Sequence, residues 1–176
     1  MKSLFRTFGL LSALFVLTAC SFGGKKTAYQ PLKASEVDQK SYAVAYESTA
    51  QTYQDRVNDS YDIESFINGV DEWYKGQVKL PVEQIRASLL NRMLDHDVYA
   101  YYSGVLFAAD LQNNFNRLSP ECWSQTHPAS MTQGIYEAMQ GLKAGKVRND
   151  EYVTKGSEQW LQLCVKNVEA QGKKKK

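Results

Sequence analysis

Apolar positions recur at helical spacing through most of this chain. From about Glu36 to Asn58, Tyr42, Tyr46, Thr49, Tyr53 and Val57 fall on one face of a helix, with Ser35 as its candidate cap. Ser41, Ala45, Ser48 and Thr52 make a second face of small residues, where another helix could approach closely. Asn58-Asp59-Ser60 breaks this helix and supplies the cap of a second, whose apolar set is Ile63, Phe66, Ile67, Val70, Trp73 and Tyr74. Gly76 ends it. Pro81 suits the first turn of a third helix, with Val82, Ile85, Leu89 and Met93 inward. Val98, Tyr101, Val105, Ala108, Ala109 and Phe115 mark a fourth, which the pattern allows to run on from the third without a full break. Ser119-Pro120 and His127-Pro128 bound a loop or short turn carrying Cys122 and Trp123. The fifth helix is expected from about Ala129 to Lys143, with Met131, Ile135, Ala138, Met139 and Leu142 on its apolar face. After a turn at Gly145, a sixth begins near Asn149 or Asp150 and carries Val153, Ser157, Trp160, Cys164 and Val168. No stretch alternates as a strand does, and Gly and Pro sit mainly at boundaries. The expectation is an all-α bundle of about six helices.

The pattern also repeats. Phe66-Ile67-Asn68-Gly69-Val70-Asp71-Glu72 can be laid on Met131-Thr132-Gln133-Gly134-Ile135-Tyr136-Glu137, about 65 residues later. Each segment leads to a glycine and a similar quartet, Gly76-Gln77-Val78-Lys79 and Gly145-Lys146-Val147-Arg148, with about four extra residues in the second copy. This divides the chain into a three-helix unit over 35–97 and another over 98–170. Two amphipathic helices can also match by coincidence, so the duplication is an expectation to test.

The N-terminus has a different character. Lys2 and Arg6 precede an almost wholly apolar run from Phe8 to Val16, too short to span a bilayer and suited to the core of a signal peptide. Leu17-Thr18-Ala19-Cys20 follows, and resembles the lipobox of bacterial lipoproteins. That resemblance implies cleavage before Cys20, lipid on its thiol and new amine, and loss of residues 1–19. Residues 20–34 then form a lipidated tether. Three acyl chains would hold the protein permanently, because each buried CH₂ contributes about 0.8 kcal/mol. Lipoproteins with Asp after the cysteine tend to stay in the inner membrane. Ser21 stands there, which implies the outer membrane.

Removing the leader leaves the chain near neutral, with its positive charge at the ends. Lys25, Lys26 and Lys33 lie in the tether, and Lys173 to Lys176 in a basic tail over 171–176. Between Ala34 and Gly172 stand 12 basic and 19 acidic residues, a net of −7. An acidic body argues against nucleic-acid binding. The tail reads either as a solvated end or as a weak contact with anionic lipid, worth roughly 1 kcal/mol per charge. Cys122 and Cys164 remain in a compartment that permits disulfides. A bridge between them would close a 43-residue loop and stabilise by roughly 4 kcal/mol. Two buried thiols are the alternative, and their wide spacing does not suit zinc.

The first unit is also similar to the N-terminal dimerisation domain of Mip-type FKBP peptidyl-prolyl isomerases. Ser41-Tyr42-Ala43-Val44 matches the Ser-Tyr-x-hydrophobic start of those domains. Phe66 to Val70 matches their apolar-x-Gly-apolar step, and Gly76 and Val82 to Arg86 their turn and closing helix. The second unit resembles it through Ala108-Ala109-Asp110-Leu111 to Phe115, and from Gly134 onward. The resemblance implies helices exchanged between the two units, as an intramolecular pseudo-dimer. The β-rich isomerase domain of the family has no counterpart in this sequence, so isomerase activity does not carry over.

Catalytic chemistry is hard to place. His96 stands in Asp95-His96-Asp97 near a helix junction, where a cap or solvated cluster is the simpler reading, since consecutive helical residues point apart. His127 precedes Pro128 and suggests a turn. No triad order, phosphate loop, dinucleotide fingerprint or metalloprotease motif is present. Eleven tyrosines, seven phenylalanines and three tryptophans give unusual aromatic content, including the crowded Tyr99, Tyr101 and Tyr102 and the tether's Tyr29. They suit a small core, or a contact surface for protein or glycan. The expected protein is a cofactor-free, non-enzymatic lipoprotein on the periplasmic face of the outer membrane, binding another envelope protein. Two alternatives are a plasmid exclusion lipoprotein opposing DNA uptake and a chaperone-like relative of the isomerases.

Overall fold

Aspartate side chains cap three of the helices. In the computed structural model, which describes residues 28–90 and 93–174, the Asp38 carboxylate accepts the Ser41 backbone N–H at 2.9 Å and its hydroxyl at 2.6 Å. This caps α1 (Gln39–Tyr53). Asp62 receives the same pair of bonds from Ser65, at 3.0 and 2.8 Å, and starts α2 (Ile63–Tyr74). Asp150 accepts from the Val153 N–H at 3.1 Å and starts α7 (Glu151–Lys174). Each bond satisfies a donor that the first helical turn leaves open. Between them lie α3 (Val82–Ser88), α4 (His96–Leu118), α5 (Pro120–Ser124) and α6 (Pro128–Lys143). A 3₁₀ turn, Ala34–Glu36, precedes α1. The described residues contain no strand, so the chain is all-helical.

Several boundaries differ from expectation. The first helix starts at Gln39, because Asp38 outcompetes Ser35 as a cap, and it stops at Tyr53, which leaves Val57 in the turn. The cap of α2 is Asp62 and not the Asn58-Asp59-Ser60 group. The Cys122 segment is helical: Ser119 accepts the Glu121 N–H at 3.2 Å and Pro120 is preset for a first helical position, giving seven α-helices among the described residues where about six were expected. A clear break separates α3 from α4. Met93, expected inward, lies in that break and is 88% exposed, and Val168 is exposed near the end of α7. The helix runs through four of the six residues assigned to the basic tail.

α2 and α6 end alike. Gly76 and Gly145 take φ of +66° and +62°, a left-handed conformation that costs glycine nothing. In α2 the Gly76 N–H bonds the Trp73 carbonyl and Gln77 reaches back to Glu72. In α6 Gly145 bonds Leu142 and Lys146 reaches Gly141. These are the paired bonds of a Schellman stop. α6 is longer than α2 by four residues, about one helical turn, so the extra length leaves its apolar face almost unrotated.

The helices are exchanged between the two halves of the chain. α1 lies along α6, and α2 along α4. α3, following α2, packs on α4, while α7, following α6, packs on α1. One central cluster draws on α1, α2, α4, α5, α6 and α7 and includes Tyr53, Phe66, Ile67, Phe115, Met131, Ile135 and Trp160. Two smaller clusters flank it, Tyr42, Ala43, Tyr46, Ala138 and Val153 on one side and Ile85, Val105 and Leu106 on the other. Gly134 brings α6 against the Tyr42 carbonyl of α1, and Gly156 brings α7 against Gln39 and Ala43 of the same helix.

Candidate interaction surface

The exchanged arrangement places matching residues at matching points. The Tyr42 hydroxyl donates to Glu137 at 2.5 Å, and the Tyr101 hydroxyl to Glu72 at 2.5 Å. Glu72 and Glu137 are 65 residues apart, the spacing of the sequence repeat. Burial, followed by the bonded carboxylate, raises the pKa of both tyrosines, so both stay neutral donors. Around Tyr42 the second half adds more. Arg148 donates to the Tyr42 hydroxyl at 2.9 Å, lies 3.6 Å from Glu137 and bonds Asp150 at 2.7 Å. That bond to Asp150 raises the guanidinium's pKa and lowers the carboxyl's. Lys79 stands in the place of Arg148 in the first half.

Two surface clefts also correspond under this relation. The first lies where the α1–α2 turn meets the start of α4. Asn58, Ser60, Tyr61, Asp62, Leu89, Leu94, His96 and Tyr99 line its roughly 420 Å³. Beside it, on the α3–α4 connection, Leu90 is 83% exposed and Met93 88%. Tyr99 is 48% exposed and reaches the same opening. Burial raises the pKa of Tyr61, at the cleft wall. The second cleft is formed by the segment before α1 and the segment before α6. Its walls are Ser35, Glu36, Val37, Asp38, Ser124, Gln125, Thr126 and His127, and it is polar. Only the first presents large apolar and aromatic side chains.

The end of the tether is fixed to the body. The Leu32 N–H bonds the Gln133 side chain at 2.9 Å, and the Tyr29 ring packs 5.0 Å from that of Tyr136. Burial, with Asp71 and Glu137 nearby, pushes the Tyr29 phenol up to about 12.

The residues singled out from sequence fall in separate places. Cys20 lies outside the described residues. Cys122 and Cys164 form a disulfide, with Cα atoms 5.1 Å apart, joining α5 to α7. His127 caps structure: its N–H donates to Ser41 Oγ at 2.8 Å and its Nδ1 meets Ser130 Oγ at 2.6 Å. His96 is exposed at the first cleft, so the two histidines do not converge. No cluster of three or more metal-ligating side chains occurs among the described residues. Tyr99 is exposed, while Tyr101 and Tyr102 are half-buried, with their rings tilted against each other. Sequence reasoning missed the Leu90–Met93 patch. Its signal was Asp95, whose extended backbone starts α4 and cuts off the helical register that would have turned Met93 inward.

A family model described as an uncharacterised lipoprotein matches residues 35–166. The chain belongs to this lipoprotein family. A Haemophilus influenzae relative, described as an uncharacterized protein, is 42% identical over 175 residues, covering 93% of this chain and 98% of the relative. No solved structure matches. Membership makes this a membrane-anchored protein of the cell envelope. None of its described helices is long and apolar enough to cross a membrane.

Proposed function

We propose that this lipoprotein is a non-enzymatic, helical interaction module on the periplasmic face of the outer membrane. Acyl groups on Cys20 hold it there, and the apolar cleft at the start of α4 docks another envelope protein. The observation that carries this reading is the pair Leu90 and Met93, both more than four-fifths exposed beside an open cleft containing Leu89, Leu94 and Tyr99. Grouped exposed apolar side chains of this size mark contact surfaces more often than solvated ones. The corresponding cleft in the other half is polar, so one of two matching positions has become apolar. Ser21 after the lipid-bearing cysteine supports the outer membrane.

The exchange of helices between halves supports reading the body as a duplicated relative of the Mip-type dimerisation domain, closed on itself. An apolar cleft also suits a chaperone-like role, in which many unfolded clients are held weakly.

A photo-crosslinking residue at Tyr99 separates these readings. One discrete adduct in cells, abolished by Leu90→Asp with Met93→Asp, supports a specific partner. A smear of adducts favours client holding. No adduct, or one indifferent to both substitutions, rejects the cleft as a contact site. Cys20→Ser tests the anchor separately: it should block palmitate labelling and release the protein from membranes.

A further inference from the structure

Past Cys164, α7 continues to Lys174, a further length of about 15 Å. Of the described side chains in this overhang, only Asn167 is partly covered. Leu161, Val165 and Val168 are 54%, 46% and 46% exposed, and their spacing puts them in one stripe. A helical end this short gains little from its own hydrogen bonds and normally depends on packing.

The charge around the stripe narrows what could cover it. From Leu161 onward the sequence has five basic residues, Lys166 and Lys173 to Lys176, against one acidic residue, Glu169. The body as a whole is acidic. An apolar stripe followed in sequence by four lysines matches an anionic phospholipid surface, with acyl chains for the stripe and headgroups for the cations. A lipoprotein always has such a surface nearby. Only eight residue steps separate Cys20 from Ala28, the first described residue, a reach of at most about 28 Å.

We propose that α7 from Leu161 onward lies on the membrane as a second, reversible attachment beside the lipid anchor. The tether holds the body near the bilayer, and the α7 contact fixes which face is turned away from it. The Cys122–Cys164 bridge secures the root of this arm. This inference rests on membership of the lipoprotein family and is independent of the cleft reading.

The test uses the Cys20→Ser chain with its leader removed, so that no acyl group contributes. It should co-sediment with phosphatidylcholine vesicles containing roughly one third phosphatidylglycerol, and only weakly with phosphatidylcholine alone. Leu161→Asp, Val165→Asp and Val168→Asp combined should lower the partitioning at least about tenfold. Because these side chains are exposed, the bundle should keep its circular dichroism spectrum. A second variant, Lys173 to Lys176 replaced by glutamine, should lose binding to a similar degree, together with its salt sensitivity. Absence of binding to the anionic vesicles, equal binding to neutral ones, or indifference to the aspartates overturns the proposal. So does a dimer in solution that the aspartates dissociate without any vesicle binding, since the stripe would then face a second copy.

Discussion

Gly69 and Gly104 lie on opposite sides of the contact where α2 crosses α4. A Cβ on Gly69 would overlap the Tyr101 carbonyl oxygen, and one on Gly104 the Phe66 carbonyl oxygen. Backbone therefore touches backbone, with no flexible side chain to give way. Gly69→Ala and Gly104→Ala are each expected to force the helices apart at a cost of at least about 2 kcal/mol. Urea unfolding followed by circular dichroism checks this. A change within about 0.5 kcal/mol for both would mean that the crossing is looser than described.

The two tyrosine–glutamate bonds should differ in strength. Tyr101→Phe leaves half-buried Glu72 without its donor, an expected loss of about 1.5 kcal/mol. Tyr42→Phe removes the donor to Glu137 and also an acceptor for Arg148, so it should cost more. Equal losses in the same unfolding assay would show that Arg148 adds nothing to the latch.

Alkaline pH should unfold the protein through its tyrosines. Burial raises the phenol pKa of Tyr29 to about 12, and likewise raises Tyr42, Tyr53, Tyr61, Tyr74 and Tyr101 above the ordinary value of 10.0. The folded chain then holds protons that the unfolded chain releases. Their contribution to stability is complete below pH 10 and is lost as pH rises through the folded values. Tyrosinate absorbance should rise together with the loss of helix above that point. A phenol titration finished before any helix is lost would contradict the burial.

Breaking the Cys122–Cys164 bridge should loosen α7 first. Replacing both cysteines by alanine removes a cross-link worth roughly 4 kcal/mol in a loop-entropy estimate. Earlier thermal unfolding and faster proteolysis after Trp160 are expected. Thiol labelling of the denatured, unreduced protein should find neither Cys122 nor Cys164 free, and two labelled sites would reject the bridge.

The fold was legible where helical period and punctuation agree. α2 and α6 could be read from Ile63 to Tyr74 and from Met131 to Leu142, because wide apolar faces end at glycines that only a left-handed turn explains. The common spacing of Glu72 and Glu137 was visible too, but not that each would take a tyrosine from the opposite half. That pairing depends on which helices lie side by side, and period does not encode it. Boundaries failed where several polar residues competed. Ser35 and Asp38 both suit a cap, and only the position of the Ser41 hydroxyl decides between them. The apolar patch escaped notice because Leu89 and Met93 read as inward at helical spacing, whereas the break before α4 leaves Met93 exposed beside Leu90. Period alone cannot tell a buried apolar side chain from an exposed one.

Interleaving the halves has a consequence for a protein that must cross a membrane before it matures. α1 finds its partner only when α6, late in the chain, has also arrived, and α7 later still. A portion of the chain that lacks α6 and α7 leaves α1 without either helix it packs on, and only α2, α3 and α4 have one another. Only when the C-terminal third is through can the molecule shut, and it then shuts as one piece.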